Sequence, residues 1–332
     1  MKLIRTLTIL IILSGCSSKK ENPCIDRDIS ESLTLLQNQV VCFQTVDSYD
    51  LDYTNKESLT VFGKLSVPNI KKSSYPAVVL SHGSGGIRRY HEKYVNLLTE
   101  NGYVVFQIDH YSNRNIRYDK TFSKVSGITF MNDSYKALQL IKSHPNINKV
   151  GYIGWSQGGV GPILSHFKHV TDFIESGKFN FDASIAIYPY CGFTFPGNSK
   201  TMTPLLMLTG NDDDLTPAKT CLNLYTKFFK NDGKIRYISF ENARHGYDNP
   251  FLYFGMTFDN LPSLNINNDS CTLTISKKGQ IKTLSNKIIN GPKESEKLLN
   301  ACSTKGVTVK YDSIATEKTQ EIVINYFSEY LN

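Results

Sequence analysis

From Tyr53 onward, short apolar segments alternate with segments of helical spacing. Residues 77–81 and 104–108 are nearly continuous apolar runs, which are typical of strands whose two faces are both covered. Helices that separate such strands predict a mainly parallel sheet with helices on both faces. The chain of 332 residues is therefore expected to form one main domain of the α/β class.

The individual elements follow from this alternation. Strands are predicted over 59–67, 77–81, 104–108, 150–153, 183–188, 205–208 and 235–240. Helices are predicted over 90–101, over 133–143, directly after Ser156, over 216–229 and over 316–331. Gly102 is expected to end the first helix, and Thr216 to cap the fourth before Pro217. Residues 260–311 are polar and lysine-rich, and we interpret them as an insertion before the C-terminal helix.

The first residues have the pattern of an export signal. Lys2 and Arg5 precede an apolar run over 7–13, which is too short to span a bilayer. The run ends at Leu13-Ser14-Gly15-Cys16, which resembles the lipobox of bacterial lipoproteins and implies a lipid on Cys16. We therefore expect a signal peptide over 1–15, an anchor, tether and N-terminal decoration over 16–50, and an α/β domain over 51–332.

This signal also predicts where the protein acts. The expected product is an exported, membrane-anchored lipoprotein, and Ser17 after the cysteine suggests the outer membrane, facing the periplasm, if the source is Gram-negative. Removing residues 1–15 lowers the formal net charge from +7 to +5. This mild excess comes without a recognition module, so no nucleic-acid partner is expected. The sequence does not indicate an oligomeric state.

Six cysteines follow Cys16, an even number that favours disulfides in an exported chain. They allow about fifteen pairings. We favour the sequential set of Cys24 with Cys42, Cys191 with Cys221, and Cys271 with Cys302.

A GxSxG motif at 154–158 lies directly between a predicted strand and a predicted helix. In that context the glycines make room for a strained turn that exposes the hydroxyl of Ser156. A serine hydroxyl is a weak nucleophile at neutral pH, so it needs an imidazole base, and that base needs a carboxylate. The motif therefore predicts that Ser156 acts with a histidine and an acid from later strands.

The partners of Ser156 are sought where later strands end. Of the seven histidines, His245 follows the last predicted strand of the regular pattern. Asp212, Asp213 and Asp214 follow the strand before it, and the chemistry of the residues does not choose among the three. The order of serine, acid and histidine along the chain is the order of α/β-hydrolases.

A glycine-rich loop at 81–86 leaves another strand at the same predicted edge of the sheet. Its glycines allow backbone N–H groups to approach an oxyanion closely. We expect the N–H groups of Ser84 and Gln157 to form an oxyanion hole.

Together these segments resemble the dienelactone hydrolase family, in its larger secreted branch with a serine nucleophile. The resemblance covers residues 55–332 and rests on SHGSGG at 81–86, GWSQGG at 154–159, YPYCG at 188–192, GNDDDLTPAKTC at 210–221 and ARHGYD at 243–248. It implies an α/β-hydrolase fold and hydrolysis of a carboxylic ester. We expect a small-molecule ester or lactone as the substrate, and neither a cofactor nor a metal.

The resemblance also implies roles for single residues. Ser156 matches the nucleophile, Asp213 the acid and His245 the base, and the motif cysteines lead to the pairing of Cys191 with Cys221. Dienelactone hydrolase itself uses cysteine where this chain has Ser156, so dienelactone is a doubtful substrate.

Several alternatives remain at this point. A peptidase or an acyl transferase would use the same three residues, and a surface-binding lipoprotein would not use them at all. A metal hydrolase would draw on His82, His91, His110 and Asp109, whose spacing matches no familiar zinc pattern.

Further hypotheses concern the border of the active-site cleft. An acidic group of the substrate would be held by one or more of the arginines Arg88, Arg89, Arg114 and Arg117. An apolar wall of the pocket would be formed by Tyr247, Phe251, Tyr253 and Phe254.

Overall fold

A computed structural model describes residues 22–174, 179–195, 203–229, 233–264 and 272–332. Its main feature is a sheet of eight strands. These strands are β1 (Gln39–Val46), β2 (Ser58–Ser66), β3 (Tyr75–Ser81), β4 (Val104–Asp109), β5 (Ile147–Trp155), β6 (Ala183–Ile187), β8 (Leu205–Gly210) and β9 (Ile235–Phe240), while β7 (Phe193–Thr194) lies outside the sheet.

The spatial order of the sheet is β1-β2-β4-β3-β5-β6-β8-β9. Strand β2 pairs antiparallel with β1 and with β4, and every other pairing is parallel. The carboxyl ends of β3, β5, β8 and β9 therefore meet at one edge. This arrangement confirms the predicted mainly parallel sheet.

Helices cover both faces of the sheet. They are α1 (Arg89–Glu100), α2 (Gly127–Lys142), α3 (Val160–Leu164), α4 (Lys168–Thr171), α5 (Ala218–Leu224), α6 (Pro292–Cys302) and α7 (Ser313–Leu331), with a π-helical turn (Tyr225–Phe229) after α5. Successive side chains of β3 face opposite sides of the sheet. Ala77 and Val79 pack with α2 and α3, and Val78 and Leu80 pack with α1 and α7.

Helix α2 and strand β1 differ most from the prediction. Helix α2 begins at Gly127 rather than at residue 133, with Ser126 as its N-cap accepting the N–H of Thr129. Its first turns are buried, so tertiary packing outweighs the weak helix propensity of a segment that contains Gly127 and Thr129. Strand β1 lies within the span 16–50 that was predicted to be anchor and decoration, and all eight of its residues pair with β2. The sheet therefore begins before residue 51.

The predicted insertion is an ordered excursion in the part that the structure describes. It contains β10 (Met256–Ser263), β11 (Leu273–Ile275), β12 (Ile281–Thr283), α6 and β13 (Thr304–Val309). Strand β10 pairs antiparallel with β13, while β11 pairs antiparallel with β12 and parallel with β7. In the described residues, the excursion therefore includes the sheet of β10 and β13, the paired strands β11 and β12, which β7 extends, and helix α6.

Two of the three predicted disulfides are present, Cys24–Cys42 and Cys191–Cys221. They close loops of 18 and 30 residues. Each contributes about 3 kcal/mol to the free energy of unfolding in the chain-entropy description. The predicted Cys271–Cys302 bridge involves Cys271, which lies outside the described residues, as does the predicted lipidation site Cys16. In the described ranges, none of the helices combines the length and the apolar character needed to cross a membrane.

Candidate active site

Ser156 stands at the turn between β5 and a short 3-10 helix (Ser156–Gly159). Its backbone has a φ of +52°, in the left-handed region that residues other than glycine rarely adopt. Gly158 allows the turn to form, because a Cβ there would lie 2.3 Å from the carbonyl oxygen of His82. The strain holds the Ser156 hydroxyl beyond the end of the strand, as the motif predicts.

His245 follows β9 and reaches Ser156 across the edge of the sheet. Its Nε2 lies 3.0 Å from Ser156 Oγ, although 89 positions of chain separate the two residues. Both side chains are nearly buried. The hydroxyl of Ser156 can therefore donate its hydrogen bond directly to the imidazole.

Asp213 lies on the other side of the His245 ring. Its Oδ2 accepts the Nδ1–H of His245 at 2.8 Å, which leaves Nε2 unprotonated and facing Ser156. Its Oδ1 accepts the backbone N–H groups of Leu215 and Thr216 at 2.9 and 2.8 Å. These bonds fix the carboxylate, so the structure brings together the three side chains expected from the sequence.

The neighbouring carboxylates have other positions. Asp212 is exposed. Asp214 pairs with Arg244 at 3.1 Å and accepts the N–H of Thr308 in β13. Geometry thus selects Asp213 among three acids that the residue types leave open.

Thr216 has a different role from the predicted helix cap. The cap position of α5 is Pro217, and the Thr216 Oγ instead lies 3.0 Å from His245 Nδ1, from Asp213 Oδ2 and from the carbonyl oxygen of Tyr188. By donating to the Tyr188 carbonyl, the hydroxyl can leave the Nδ1–H of His245 to Asp213. The sequence signal was its position three residues after Asp213.

A buried carboxylate behind His245 was not anticipated from the sequence. Asp248 accepts the Nε1–H of Trp155 at 2.7 Å, the hydroxyl of Tyr94 at 2.9 Å and the hydroxyl of Tyr188 at 2.7 Å. Burial raises the pKa of Asp248, and the hydrogen bonds from these three donors offset part of that effect. The ring of Tyr188 packs on that of His245 with centroids 4.6 Å apart. Through its bond from Trp155, Asp248 therefore connects the residue before Ser156 to the loop that carries His245.

The glycine-rich loop lies against Ser156. A Cβ on Gly83 would lie 3.0 Å from Ser156 Cβ, which is tighter than an ordinary carbon–carbon contact, so a larger residue would displace the nucleophile or the loop. Ser84 lines the same cavity as Ser156, and its carbonyl oxygen accepts the N–H of Asp119 at 2.8 Å. The side chain of Gln157 is held by the hydroxyl of Tyr111 and by the carbonyl oxygen of Val125. Ser84 and Gln157 therefore both belong to hydrogen-bonded segments at the cleft, and the oxyanion hole formed by their N–H groups stays a prediction.

Two histidines of the alternative metal site, His82 and His110, belong to a buried hydrogen-bond network. His110 Nδ1–H donates to Asp133 at 2.7 Å, and its Nε2 lies 2.7 Å from Ser81 Oγ. His82 Nε2 accepts the N–H of His110, and Asp109 accepts N–H groups of its own loop. Across the described ranges, His, Cys, Asp and Glu side chains nowhere form a group of three suited to a metal ion.

Burial keeps two of these histidines neutral, and this predicts a pH-dependent stability. Burial lowers the pKa of His82 and that of His91 to about 3, whereas an unfolded chain titrates its histidines near 6.5. Between these values the unfolded state binds more protons than the folded state, so the free energy of unfolding falls as the pH falls from about 6.5 towards 3. The His91→Phe variant has one such histidine fewer. We therefore expect the dependence of its free energy of unfolding on pH to be weaker by about one bound proton, which is about 1.4 kcal/mol per pH unit.

Urea unfolding of both proteins between pH 4 and 7 measures this slope. The substitution also removes the bond from the N–H of Arg88 to His91, which shifts the whole curve but not its slope. Parallel curves for the two proteins would contradict the expectation.

A model of the dienelactone hydrolase family matches residues 65–252, which is more than half of the 332 residues. The chain belongs to the dienelactone hydrolase family. Membership makes it a hydrolase of the ester or lactone type. None of the curated proteins matches this sequence.

Solved structures that resemble this member of the dienelactone hydrolase family include the following two. A proposed dienelactone hydrolase from Klebsiella pneumoniae has 13% identity and a TM-score of 0.50, over 88% of this chain and all of the other. A dienelactone hydrolase-like promiscuous phosphotriesterase from metagenomic libraries has 14% identity and a TM-score of 0.52, over 88% of this chain and 99% of the other. Likeness at this level of identity concerns the fold, and it confirms the predicted α/β-hydrolase fold.

One hypothesis about the cleft of this dienelactone hydrolase family member is wrong. Arg114 does not border the cleft, because its side chain is 4% exposed and pairs with Asp133 at 2.8 Å and with Asp47 at 2.7 Å. Of the four candidate arginines, Arg88 is among the residues that line the cleft. Arg89 and Arg117 are exposed and are not among them.

The predicted aromatic wall also lies elsewhere. Tyr247 is fully buried, and its hydroxyl accepts a hydrogen bond from Thr319 of α7 at 3.0 Å. Phe251, Tyr253 and Phe254 point mainly to solvent, and Leu252 between them lines the cleft. Apolar lining residues come both from loops at the sheet edge, such as Phe122, and from the insertion, whose polar composition concealed its apolar residues.

Proposed function

We propose that this chain is a serine esterase that cleaves a carboxylic ester through an acyl-enzyme intermediate. The observation that carries the proposal is the continuous contact from Ser156 Oγ to His245 Nε2 at 3.0 Å and from His245 Nδ1 to Asp213 at 2.8 Å, at the wall of an open cleft. Membership of an ester and lactone hydrolase family supports the same reaction.

In the first half of the reaction, Ser156 Oγ attacks the carbonyl carbon while its proton passes to His245 Nε2. The carbonyl oxygen becomes an oxyanion that accepts hydrogen bonds from the N–H groups of Ser84 and Gln157. The bond to the alcohol oxygen then breaks, and His245 gives its proton to the departing alcohol. Asp213 stabilises the charged imidazole during this exchange.

In the second half, water attacks the acyl group on Ser156 and gives a proton to His245. Breakdown of this intermediate releases the carboxylic acid and returns the proton to Ser156 Oγ. Serine at the position where dienelactone hydrolase has cysteine makes the reaction depend on His245, because a hydroxyl does not ionise at neutral pH.

A fluorophosphonate probe tests the assignment of the nucleophile. We expect the probe to label the wild-type protein and to leave Ser156→Ala unlabelled, because the probe reacts with an activated serine hydroxyl. Gel fluorescence and peptide mapping of the labelled site measure the result. Equal labelling of both proteins, or of neither, would contradict the proposed function.

We also propose that the domain is exported and held to a membrane by a lipid on Cys16. The disulfides support an oxidising compartment, since such bonds are rare in the reducing cytosol. Incorporation of an alkyne-tagged fatty acid into the wild type and not into Cys16→Ala is the expected result. Incorporation into both would overturn the proposal.

A further inference from the structure

Ser156 lines two cavities of different character. One is the open cleft of about 790 Å³, which His245 and the 83–85 loop also line. The other is a smaller cavity of about 100 Å³, which Gln157 lines as well. A nucleophile between two spaces can place the two parts of an ester in different surroundings.

The smaller cavity is mainly apolar. Its floor comes from the helices that cover the sheet, with Ile128 of α2 and Val160 of α3. Its roof comes from the insertion, with Ile281 of β12 and Leu298 and Leu299 of α6. The large cleft has apolar lining residues as well, but its lining also includes charged side chains of both signs, such as Arg88, Lys305, Asp259 and Glu296. None of the described residues that line the smaller cavity is charged.

The proton path decides which part of the ester enters which space. His245 must give its proton to the departing alcohol, so the alcohol oxygen has to lie on the side of the serine where His245 stands. His245 lines the large cleft and is not among the described residues that line the apolar cavity. The acyl part therefore extends from the carbonyl carbon towards Gln157 and the apolar cavity.

We propose that the apolar cavity is the acyl site and that it accepts short aliphatic acyl groups of up to about four carbons, while the larger cleft, with its charged residues, receives the alcohol. The limit on the acyl chain follows from the volume of the cavity. A cavity of about 150 Å³ holds the six carbons of benzene, and this cavity, with about two thirds of that volume, should hold about four carbons. The proposal rests on the proposed function and names its substrate class. It makes residues of the insertion the determinants of acyl length.

A series of p-nitrophenyl esters tests the proposal, because the alcohol part stays constant while the acyl chain grows. We expect kcat/KM to be highest for the acetate or butyrate and at least about tenfold lower for the octanoate, since an eight-carbon chain exceeds the volume of this cavity. Equal values for butyrate and octanoate would overturn the acyl-site assignment.

Substitutions in the insertion connect this preference to the cavity. Ser295 is half-buried on α6 at the cavity wall, so Ser295→Leu should fill space and lower the butyrate-to-acetate ratio of kcat/KM by about tenfold. Leu298→Ala should enlarge the space and raise the octanoate-to-butyrate ratio by a similar factor. Val307→Ala is the matched control, because Val307 is buried in the same insertion and is not among the residues that line either cavity.

The control should leave both ratios within about twofold of the wild type. Unchanged ratios in Ser295→Leu, which alters a half-buried position and preserves the core, would overturn the proposal even if Leu298→Ala failed to fold. A protein that hydrolyses esters with no dependence on these residues would overturn the acyl site alone. A protein that hydrolyses none of the esters and takes up no probe at Ser156 would overturn both the acyl site and the proposed function.

Discussion

Replacing His245 with alanine is expected to lower kcat for an ester by about a millionfold, because the hydroxyl of Ser156 then has no base within reach. The Michaelis constant should change much less, since the cleft walls remain. Stopped and continuous assays of p-nitrophenyl butyrate hydrolysis measure kcat and KM. Circular dichroism in parallel shows whether the variant is folded. His169→Ala is the control, because His169 on α4 is not among the residues that line either cavity and its loss should leave kcat within about twofold.

The double variant adds a test of whether Ser156 and His245 act as one unit. If they do, combining Ser156→Ala with His245→Ala should lose no more activity than either change alone. A His245→Ala enzyme that keeps more than a tenth of the wild-type kcat would show that another group accepts the proton.

The second large effect is expected for Asp213→Asn, which should lower kcat by about ten thousandfold. An asparagine amide can donate to Nδ1 of His245, and this favours the tautomer whose Nε2 carries a proton towards Ser156. Thr216 would still contact Nδ1, but a hydroxyl does not stabilise the imidazolium charge as a carboxylate does.

The chain provides a matched control one position away. Asp212→Asn makes the same chemical change at an exposed site and should leave kcat within about twofold. Comparable losses in both variants would indicate that the negative charge of the whole 212–214 segment matters rather than the contact of Asp213 with His245.

The strands and the reacting trio could be read from the sequence for one physical reason. Strands buried on both faces are nearly continuous apolar runs, and each predicted strand of the main sheet lies within three residues of the observed one. Once β5, β8 and β9 are placed in parallel, the residues that follow them must share one edge of the sheet. Ser156, Asp213 and His245 therefore become neighbours without any knowledge of their contacts.

The failures concern partners that are distant along the chain. Arg114 was expected at the cleft because it stands in a loop, but Asp133, 19 residues later, holds its side chain inside the protein. Thr216 matches a helix cap locally, and its contacts with Tyr188 and His245 cannot be seen from its neighbours. The insertion reads as polar because the few apolar residues that face the cavities are spread among lysines. Local patterns therefore determine the framework, and contacts between segments determine the walls of the site.

Ser81, His110 and Asp133 repeat, in the interior, the same series of groups as the reacting trio, with contacts of 2.7 Å on both sides of the imidazole. All three side chains are fully buried, and none is among the residues that line the two cavities. Alignment of the three groups is thus insufficient for reactivity, because a carbonyl carbon must also be able to reach the oxygen. In this molecule, the hydroxyl of Ser156 adjoins a cavity that a substrate can enter, and the hydroxyl of Ser81 does not.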